Sequence, residues 1–543
     1  MTIHELKFDY TKRGIEFDDF FMAAGYDEIT GTYSPFGKAS LKKMKDLESG
    51  IKYIRIHNLF TGPEGDHRGK VDAGCDPVKR DNTGKLIFDW SKVDKVYDVL
   101  IDLGYIPYIE FGFMPEVLSS APIDAKYRWR YPPKNYEEWR IVIKEIVSHF
   151  KQRYPDKIDE FIFELWNEPD VHYYKGNAEE YNKLYDFTVA GLFDVFPEGI
   201  FKVGGPAVAT VRIPYLKKFL EHCLFEMNHV TGDIGTKFDF LSFHLKGGIH
   251  LQKPKMKRIF RRLKAQLKVI NHFKKDGKIA KKYYNSAYLQ DDVELHITEL
   301  DPLVGCARGM DDHRKFEFRN TPYYSAYMGY IACYLHNYRY KHDYNIRWVF
   351  SDFLHFSDEA AKGRIFAGCR SPTTSPFKSS ELNEALKETR VIIRPVLKAF
   401  QILKKMQGTT IQQINLRKLG KSKINSFINK QDSVLRILVS NFNEKFDDNK
   451  LQEIKISIDN LPKRVKNVEI LPVVIDADNN NPYMIWKGLG SPADLNEDSL
   501  KKMQKTENLL PNETFQLKIK NRQLLIDLKI TPHSLNFYEV KFL

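Results

Sequence analysis

A chain of 543 residues has room for more than one domain, and 42% hydrophobic with 29% charged residues is typical of a globular protein, not of a disordered or fibrous one. No stretch approaches the roughly 20 apolar residues that cross a bilayer, and the polar N-terminus does not resemble a signal peptide. The sequence therefore predicts a cytoplasmic protein without a membrane partner, or a secreted one if a signal has been removed. The five cysteines lack CxxC spacing, which favours reduced core residues over disulfides or a zinc site.

Short apolar runs alternate with helical patterns through the first 350 residues. The eight runs are FFMAAG (20–25), YIRIH (53–57), PYIEFG (107–112), FIFELWNE (161–168), KVGGPA (202–207), DFLSFHL (239–245), VELHITE (293–299) and IRWVFSDF (346–353). Eight strands alternating with helices predict an α/β fold, a (β/α)8 or TIM barrel, over residues 15–408. A doubly wound sheet is the alternative, but no GxGxxG motif follows an early strand to support it.

A basic segment, KPKMKRIFRRLKAQLK (253–268), lies between the sixth and seventh runs. Its apolar residues Ile259, Leu263 and Leu267 recur every four positions, which predicts an amphipathic helix with a basic outer face. This face is either simply solvated or steers an anionic polymer toward a site. No nucleic acid is expected as a partner, because no nucleic-acid-binding motif accompanies the net charge of +13.

The pattern changes after about residue 410, where strand-like segments follow one another with turn signals between them and little helix. These segments predict a second, all-β domain over residues 409–543, in the form of a β-sandwich. The N-terminal residues 1–14 could add a strand to this domain.

The ends of the barrel strands carry the candidate chemistry, because active sites of TIM barrels form at the carboxyl ends of the strands. These ends place six candidates together: His57, Glu168, His244, Lys246, Glu299 and Asp352. Glycoside cleavage requires two carboxylates across a sugar, one a neutral acid and the other an anion that attacks or activates water. Barrel closure can bring Glu168 and Glu299 face to face for this purpose, and a buried ion pair is the structural alternative. Glu164 lies four positions before Glu168, so both side chains are expected to point into the barrel. Glu164 is predicted to be buried there with a partner.

Four segments in a fixed order resemble glycoside hydrolase family 39: FELWNEPD (163–170), VGGPA (203–207), FDFLSFHLKG (238–247) and ITELDPLVG (297–305). That family holds β-xylosidases and α-L-iduronidases on a (β/α)8 barrel with an attached β-sandwich. The resemblance implies that Glu168 is the acid/base, that Glu299 is the nucleophile and that Asn167 hydrogen-bonds the sugar 2-hydroxyl. His57, His244 and Asp352 are the candidates to line the sugar site, and a core histidine is the alternative for His57.

Within this family, the strings FHLKG and ELDPLVG are more similar to α-L-iduronidases than to β-xylosidases. In that branch a lysine at the position of Lys246, the backbone near Gly305 and a later arginine hold the uronic carboxylate; Arg364 is the candidate arginine. A xylose has no substituent at C5, so a lysine aimed there would be an unpaired charge, whereas a uronate accepts charge-assisted hydrogen bonds. The alternative is that Lys246 pairs with a protein carboxylate.

The sequence thus predicts a retaining exo-glycoside hydrolase that acts on a terminal uronic acid, with α-L-iduronate as the first sugar. A β-D-xylosidase is the alternative enzyme, and a catalytically inactive carbohydrate-binding protein is the alternative of another class. The expected partner is a carbohydrate, in the first interpretation an anionic, uronate-containing oligosaccharide. Neither a cofactor nor a metal is expected, since no HExxH motif or cysteine cluster is present.

Overall fold

The computed structural model describes residues 3–65, 73–210, 213–248, 254–275, 293–303, 313–356, 365–366, 370–375, 390–414, 423–493 and 495–543. The strands in this part of the chain are β1 (Ile3–Phe17), β2 (Ala23–Tyr26), β3 (Tyr53–Ile56), β4 (Val78–Arg80), β5 (Leu86–Phe88), β6 (Ile106–Phe111), β7 (Ile162–Leu165), β8 (Lys202–Val208), β9 (Phe240–Lys246), β10 (Glu294–Asp301), β11 (Ile346–Ser351), β12 (Gly408–Gln413), β13 (Ile424–Gln431), β14 (Val434–Asn441), β15 (Gln452–Asp459), β16 (Asn467–Ile475), β17 (Phe515–Lys518), β18 (Leu524–Ile530) and β19 (Ser534–Phe542).

The α-helices of the described residues are α1 (Pro35–Asp46), α2 (Ser91–Asp102), α3 (Tyr136–Arg153), α4 (Ala178–Phe193), α5 (Ile213–Phe225), α6 (Met256–Lys275), α7 (Pro322–His342), α8 (Pro395–Lys405), α9 (Pro482–Gly488) and α10 (Glu497–Gln504). Short 3-10 helices cover Ile29–Tyr33, Arg128–Arg130, Ile158–Glu160 and Arg314–Asn320. None of these helices has both the length and the apolar surface that crossing a bilayer requires.

Eight parallel strands close into a barrel in the order β2, β3, β6, β7, β8, β9, β10, β11. The ring closes where β11 pairs with β2, with Phe350 opposite Ala23. Each of the eight apolar runs supplies one of these strands, so the TIM-barrel prediction is confirmed. The carboxyl ends of all eight strands therefore meet at one mouth, which is where this fold places its chemistry.

The barrel interior changes from apolar to charged toward that mouth. An apolar cluster fills the lower layer with Ala23, Tyr108, Ile162, Phe240, Trp348 and Phe350. Side chains alternate along a strand, so residues two positions further on also point inward. Those positions hold Glu110 on β6 and Glu164 on β7, both fully buried, with Arg55 of β3 beside them. The charged layer forms the floor of the candidate site.

Helix α7 lies between the barrel and the second domain. Seventeen consecutive residues, Pro322–Tyr338, are buried, because the helix packs against the barrel and against β13, β14 and β19. A helix that is apolar all round is expected in such a position. The three described cysteines, Cys75, Cys223 and Cys333, are free and buried, as the sequence predicts; Cys306 and Cys369 lie outside the described residues.

The second domain is a nine-stranded sheet in the order β17, β16, β19, β14, β13, β12, β1, β15, β18. The N-terminal strand β1 pairs antiparallel with β12 and parallel with β15. Along β14 the side chain of Leu438 joins the core shared with α7, whereas Ile437 and Val439 on the other face join a core within the domain. The predicted barrel with an additional β domain is confirmed: the described strands of the second domain form one continuous, mostly antiparallel sheet around a core of their own.

Candidate active site

Glu168 stands at the barrel mouth on a tightly held turn after β7. Trp166 and Glu168 have φ of 65° and 48°, in the left-handed region that non-glycine residues rarely adopt. The backbone N–H of Trp166 donates to Phe111 O (3.1 Å) on β6, and that of Glu168 donates to Ala207 O (3.1 Å) on β8. These hydrogen bonds to both neighbouring strands offset the backbone strain of the turn. Backbone strain of this kind is common at functional sites.

Glu299, on β10, is almost completely surrounded by nitrogen donors. His57 Nε2 lies 3.1 Å and Arg55 Nη1 3.4 Å from its Oε1, while Lys246 Nζ lies 2.9 Å from its Oε2. Burial alone would raise the pKa of Glu299, but the charges of His244 and Lys246 and the hydrogen bond from His57 outweigh it and hold the pKa well below the ordinary 4.5. An ionised, partly desolvated carboxylate of this kind is suited to act as a nucleophile.

His244 links the two candidate catalytic carboxylates. Its Nδ1 lies 2.8 Å from Glu168 Oε1 and 3.5 Å from Glu299 Oε2. One atom from each of these three side chains lies within 4.8 Å of the others. The structure therefore brings together two glutamates from the fourth and seventh barrel strands, with their carboxylate oxygens close enough to act on one bond.

Arg55, which the sequence interpretation missed, organises the floor. Its guanidinium contacts Glu110 Oε2 (2.7 Å) and Glu164 Oε2 (2.6 Å) and donates to Asn167 Oδ1 (3.2 Å). The predicted burial of Glu164 with a partner is confirmed. Because the Asn167 oxygen is used by Arg55, the amide nitrogen is the atom that this side chain offers to a ligand. The sequence YIRIH could have indicated Arg55, because this residue lies two positions before His57 and therefore points to the same face of the strand.

His57 lies between three carboxylates. Its Nδ1 contacts Glu110 Oε2 at 2.6 Å, and its Nε2 lies 3.1 Å from both Asp27 Oδ1 and Glu299 Oε1. Burial lowers the pKa of His57, but the charge of Glu110 and the hydrogen bonds to Asp27 and Glu110 more than offset this, so the pKa is raised well above 6.5. His57 is therefore a charged donor to Glu299 at neutral pH.

Lys246 and a second cation flank one carboxylate at the mouth. Lys246 Nζ forms ion pairs with Glu299 and with Asp352, and Arg370 Nη1 lies 2.5 Å from Asp352 Oδ2. Both cations are buried. Lys246 therefore pairs with protein carboxylates, which was the alternative interpretation of this lysine from the sequence.

Arg370 was not among the sequence candidates, because it lies in an irregular segment where spacing does not distinguish one arginine from another. The candidates Gly305 and Arg364 fall outside the described residues.

Two side-chain groups among the described residues have the composition of a metal site: Glu168–His244–Glu299, and Asp186–His222–His229, of which Asp186 lies on α4, His222 on α5 and His229 in the loop after α5. In the second group Asp186 accepts from Thr236 Oγ1 (2.6 Å), from the His229 N–H (2.8 Å) and from His222 Nε2 (2.8 Å). Both oxygens of Asp186 are therefore used in protein contacts that tie α4 to α5 and the loop after it.

The comparisons with known proteins agree with this geometry. The model of Glycosyl hydrolases family 39 matches residues 22–519. A β-xylosidase of Caldicellulosiruptor saccharolyticus is 26% identical over 527 residues, 93% of this chain and 91% of that protein. The α-L-iduronidase of Homo sapiens is 27% identical over 206 residues, 36% of this chain and 28% of that protein.

Solved structures share the fold over the whole chain. A bacterial orthologue of human α-L-iduronidase superposes with a TM-score of 0.75 at 18% identity, covering 100% of this chain and 84% of that one. A monomeric β-xylosidase from Caulobacter crescentus superposes with a TM-score of 0.68 at 20% identity, covering 99% of this chain and 100% of that one. At such identities the likeness shows the architecture alone.

Proposed function

Because the chain belongs to glycosyl hydrolase family 39, we propose that it is a retaining exo-glycoside hydrolase in which Glu299 is the nucleophile and Glu168 the acid/base. The observation that carries this proposal is the contact distance within the catalytic group: single atoms of Glu168, His244 and Glu299 all lie within 4.8 Å. Retaining enzymes place their two carboxyl groups roughly 5–5.5 Å apart, whereas inverting enzymes need roughly 6.5–9.5 Å to admit a water.

In the first step Glu299 attacks the anomeric carbon while Glu168 gives its proton to the leaving oxygen. The bond between the anomeric carbon and that oxygen breaks, and a glycosyl ester forms on Glu299. In the second step Glu168, now a carboxylate, takes a proton from water, which attacks the same carbon and releases Glu299. His57, Arg55 and Lys246 stabilise the Glu299 carboxylate before and after this cycle, and the Asn167 amide nitrogen donates to the oxygen of the 2-hydroxyl.

The proposed sugar is a terminal uronic acid, with α-L-iduronate first. An ammonium group has three N–H donors, of which Glu299 and Asp352 take two in the structure. The third donor of Lys246, together with the guanidinium of Arg370, which contacts the same oxygen of Asp352, suits a sugar carboxylate at C5. Charge-assisted hydrogen bonds from two buried cations would offset the cost of desolvating that carboxylate.

A β-D-xylosidase is the second candidate, and two observations favour it. The β-xylosidase of Caldicellulosiruptor saccharolyticus aligns over 93% of this chain, whereas the human α-L-iduronidase aligns over 36%. Lys246 is already paired with Glu299 and Asp352, so a neutral pentose would leave no buried charge without a partner.

One assay separates these candidates. Aryl α-L-iduronide, β-D-glucuronide, β-D-xyloside and α-L-arabinoside with the same aryl group are compared side by side. We expect the highest kcat/KM on the iduronide. Cleavage of the xyloside with no measurable cleavage of either uronide would exclude a uronic-acid specificity.

The variant Lys246→Met is expected to lower the ratio of uronide to xyloside kcat/KM by about tenfold or more, since a hydrogen bond to a charged group contributes about 1.5–3 kcal/mol. The ratio is the relevant measure because Lys246 also touches Glu299, so both substrates will lose some rate. Lys144→Met, an exposed lysine on α3, is the control and should leave the ratio unchanged. If Lys246→Met lowers both substrates equally, Lys246 does not bind a sugar carboxylate.

A further inference from the structure

The group Asp186–His222–His229 lies at the end of the barrel opposite the mouth. His222 is in the last turn of α5, and the loop that follows this helix leads into β9 at Phe240. Phe240 belongs to the lower, apolar layer of the barrel interior. Chemistry at this group is therefore separate from that of the candidate active site.

The carboxylate of Asp186 is buried and is oriented by the loop after α5. Thr236 Oγ1 donates to its Oδ1 at 2.6 Å, and the backbone N–H of His229 donates to its Oδ2 at 2.8 Å. An ionised carboxylate has about four lone-pair sites, and with His222 Nε2 on Oδ1 only three are used. The two bonds from the loop hold the carboxylate in place whether His222 offers it a proton or both bind one ion.

His222 has a carboxylate next to each ring nitrogen. Its Nε2 lies 2.8 Å from Asp186 Oδ1, and its Nδ1 lies 3.2 Å from Oε2 of Glu226, which follows the end of α5. A histidine that binds a metal through one nitrogen almost always donates the other N–H to a carboxylate or carbonyl. Glu226 is placed for that second role, which leaves Nε2 directed at Asp186 as the ligand atom.

The ring of His229 completes a set of three ligands. Its centroid lies 5.6 Å from that of His222, with the ring planes 20° apart, and one ligand atom from each of the three residues lies within 4.8 Å of the others. Two imidazoles that bind one zinc ion have ring centres roughly 5–6 Å apart. The Nε2–Oδ1 distance would have to open by roughly 0.5 Å to admit the ion, a small side-chain rotation. His229 is exposed, which provides an entry path and access for a water ligand.

We propose that Asp186, His222 and His229 bind a zinc ion, with water as the fourth ligand, and that this ion stabilises the contact of α4 with α5 and the following loop. Two imidazoles and one carboxylate are ligands that suit zinc. An ion that binds only the folded arrangement adds its binding free energy to the stability of the fold. No motif in the sequence marks this site, since its ligands come from three separate segments, and for that reason no metal was expected.

The test is calorimetric titration of the full chain with zinc chloride after dialysis against a chelator. We expect saturable binding to wild type. Because outer partners of metal ligands already change affinity by about 10–100-fold, His229→Gln should weaken binding by about a hundredfold or more, and Glu226→Ala by about tenfold. His342→Gln, which changes an exposed histidine at the end of α7, is the matched control and should bind as wild type does.

Two further readouts separate this site from the catalytic group, which also contains a histidine between carboxylates. Excess zinc should raise the Tm of wild type and leave that of His229→Gln unchanged, and His229→Gln should keep the wild-type kcat. Equal zinc affinity of wild type and His229→Gln would refute the site. An equal loss of affinity in His342→Gln would also refute it, because the binding would then be general chelation by surface histidines.

Discussion

Glu299→Gln is expected to abolish turnover while the protein stays folded. Glutamine cannot form the glycosyl ester, yet it keeps the size of the side chain, and its single amide oxygen can still accept from one of the two donors, Lys246 or His57, which lie 2.9 and 3.1 Å from different oxygens of the carboxylate. Because loss of a catalytic nucleophile can cost up to about 10⁶-fold in kcat, we expect a fall of roughly 10⁴-fold or more. The kcat on the best aryl glycoside is compared with that of wild type, and circular dichroism checks the fold.

A matched control and a chemical rescue sharpen this prediction. Glu294→Gln changes a glutamate at the opposite end of the same strand, where it pairs with Lys202, and should keep most of the activity. In Glu299→Ala the vacated pocket retains its cations, so added azide should restore turnover and yield a glycosyl azide of inverted configuration. Near-normal turnover by Glu299→Gln would remove Glu299 from the mechanism.

Glu168→Ala is expected to discriminate between leaving groups. A poor leaving group needs a proton as it departs, and general acid catalysis contributes typically about 10²–10⁴-fold. The kcat/KM for glycosides of weakly acidic alcohols should fall by that order, whereas the kcat/KM for a strongly acidic phenol should be largely preserved. A series of aryl glycosides that spans leaving-group acidity gives the measurement.

The control for this series is Glu179→Ala, a change of an exposed glutamate in the first turn of α4, which should leave the dependence on leaving-group acidity as in wild type. The slope of kcat/KM against leaving-group acidity should be much steeper for Glu168→Ala. Equal losses across the whole series would show that Glu168 is not the general acid.

The barrel could be predicted because each of its strands is marked by residues that lie next to one another in the sequence. Each strand is a short apolar run with a turn or helix signal after it, and each run ends at the mouth, so Glu168 and Glu299 could be paired from their positions alone. The connection between the two domains is not local. β1 lies between β12 and β15, and nothing in its own sequence specifies strands more than 390 residues away.

The residues missed at the site were missed for different physical reasons. Arg55 sits at an inward-facing position of β3, and its importance becomes visible only when Glu110 and Glu164 arrive from neighbouring strands. Arg370 reaches Asp352 through an irregular segment without periodicity, so its sequence distance from β11 carries no directional information. The choice between uronate and pentose depends on such non-local contacts, whereas the reaction class does not.

Proton NMR of the hydrolysis of an aryl glycoside tests the two-glutamate mechanism most directly. Double displacement through Glu299 inverts the anomeric carbon twice, so the first-formed free sugar should have the same anomeric configuration as the substrate, before mutarotation. A first-formed sugar of inverted configuration would mean that water attacks directly, and it would contradict the assignment of Glu299 as a nucleophile.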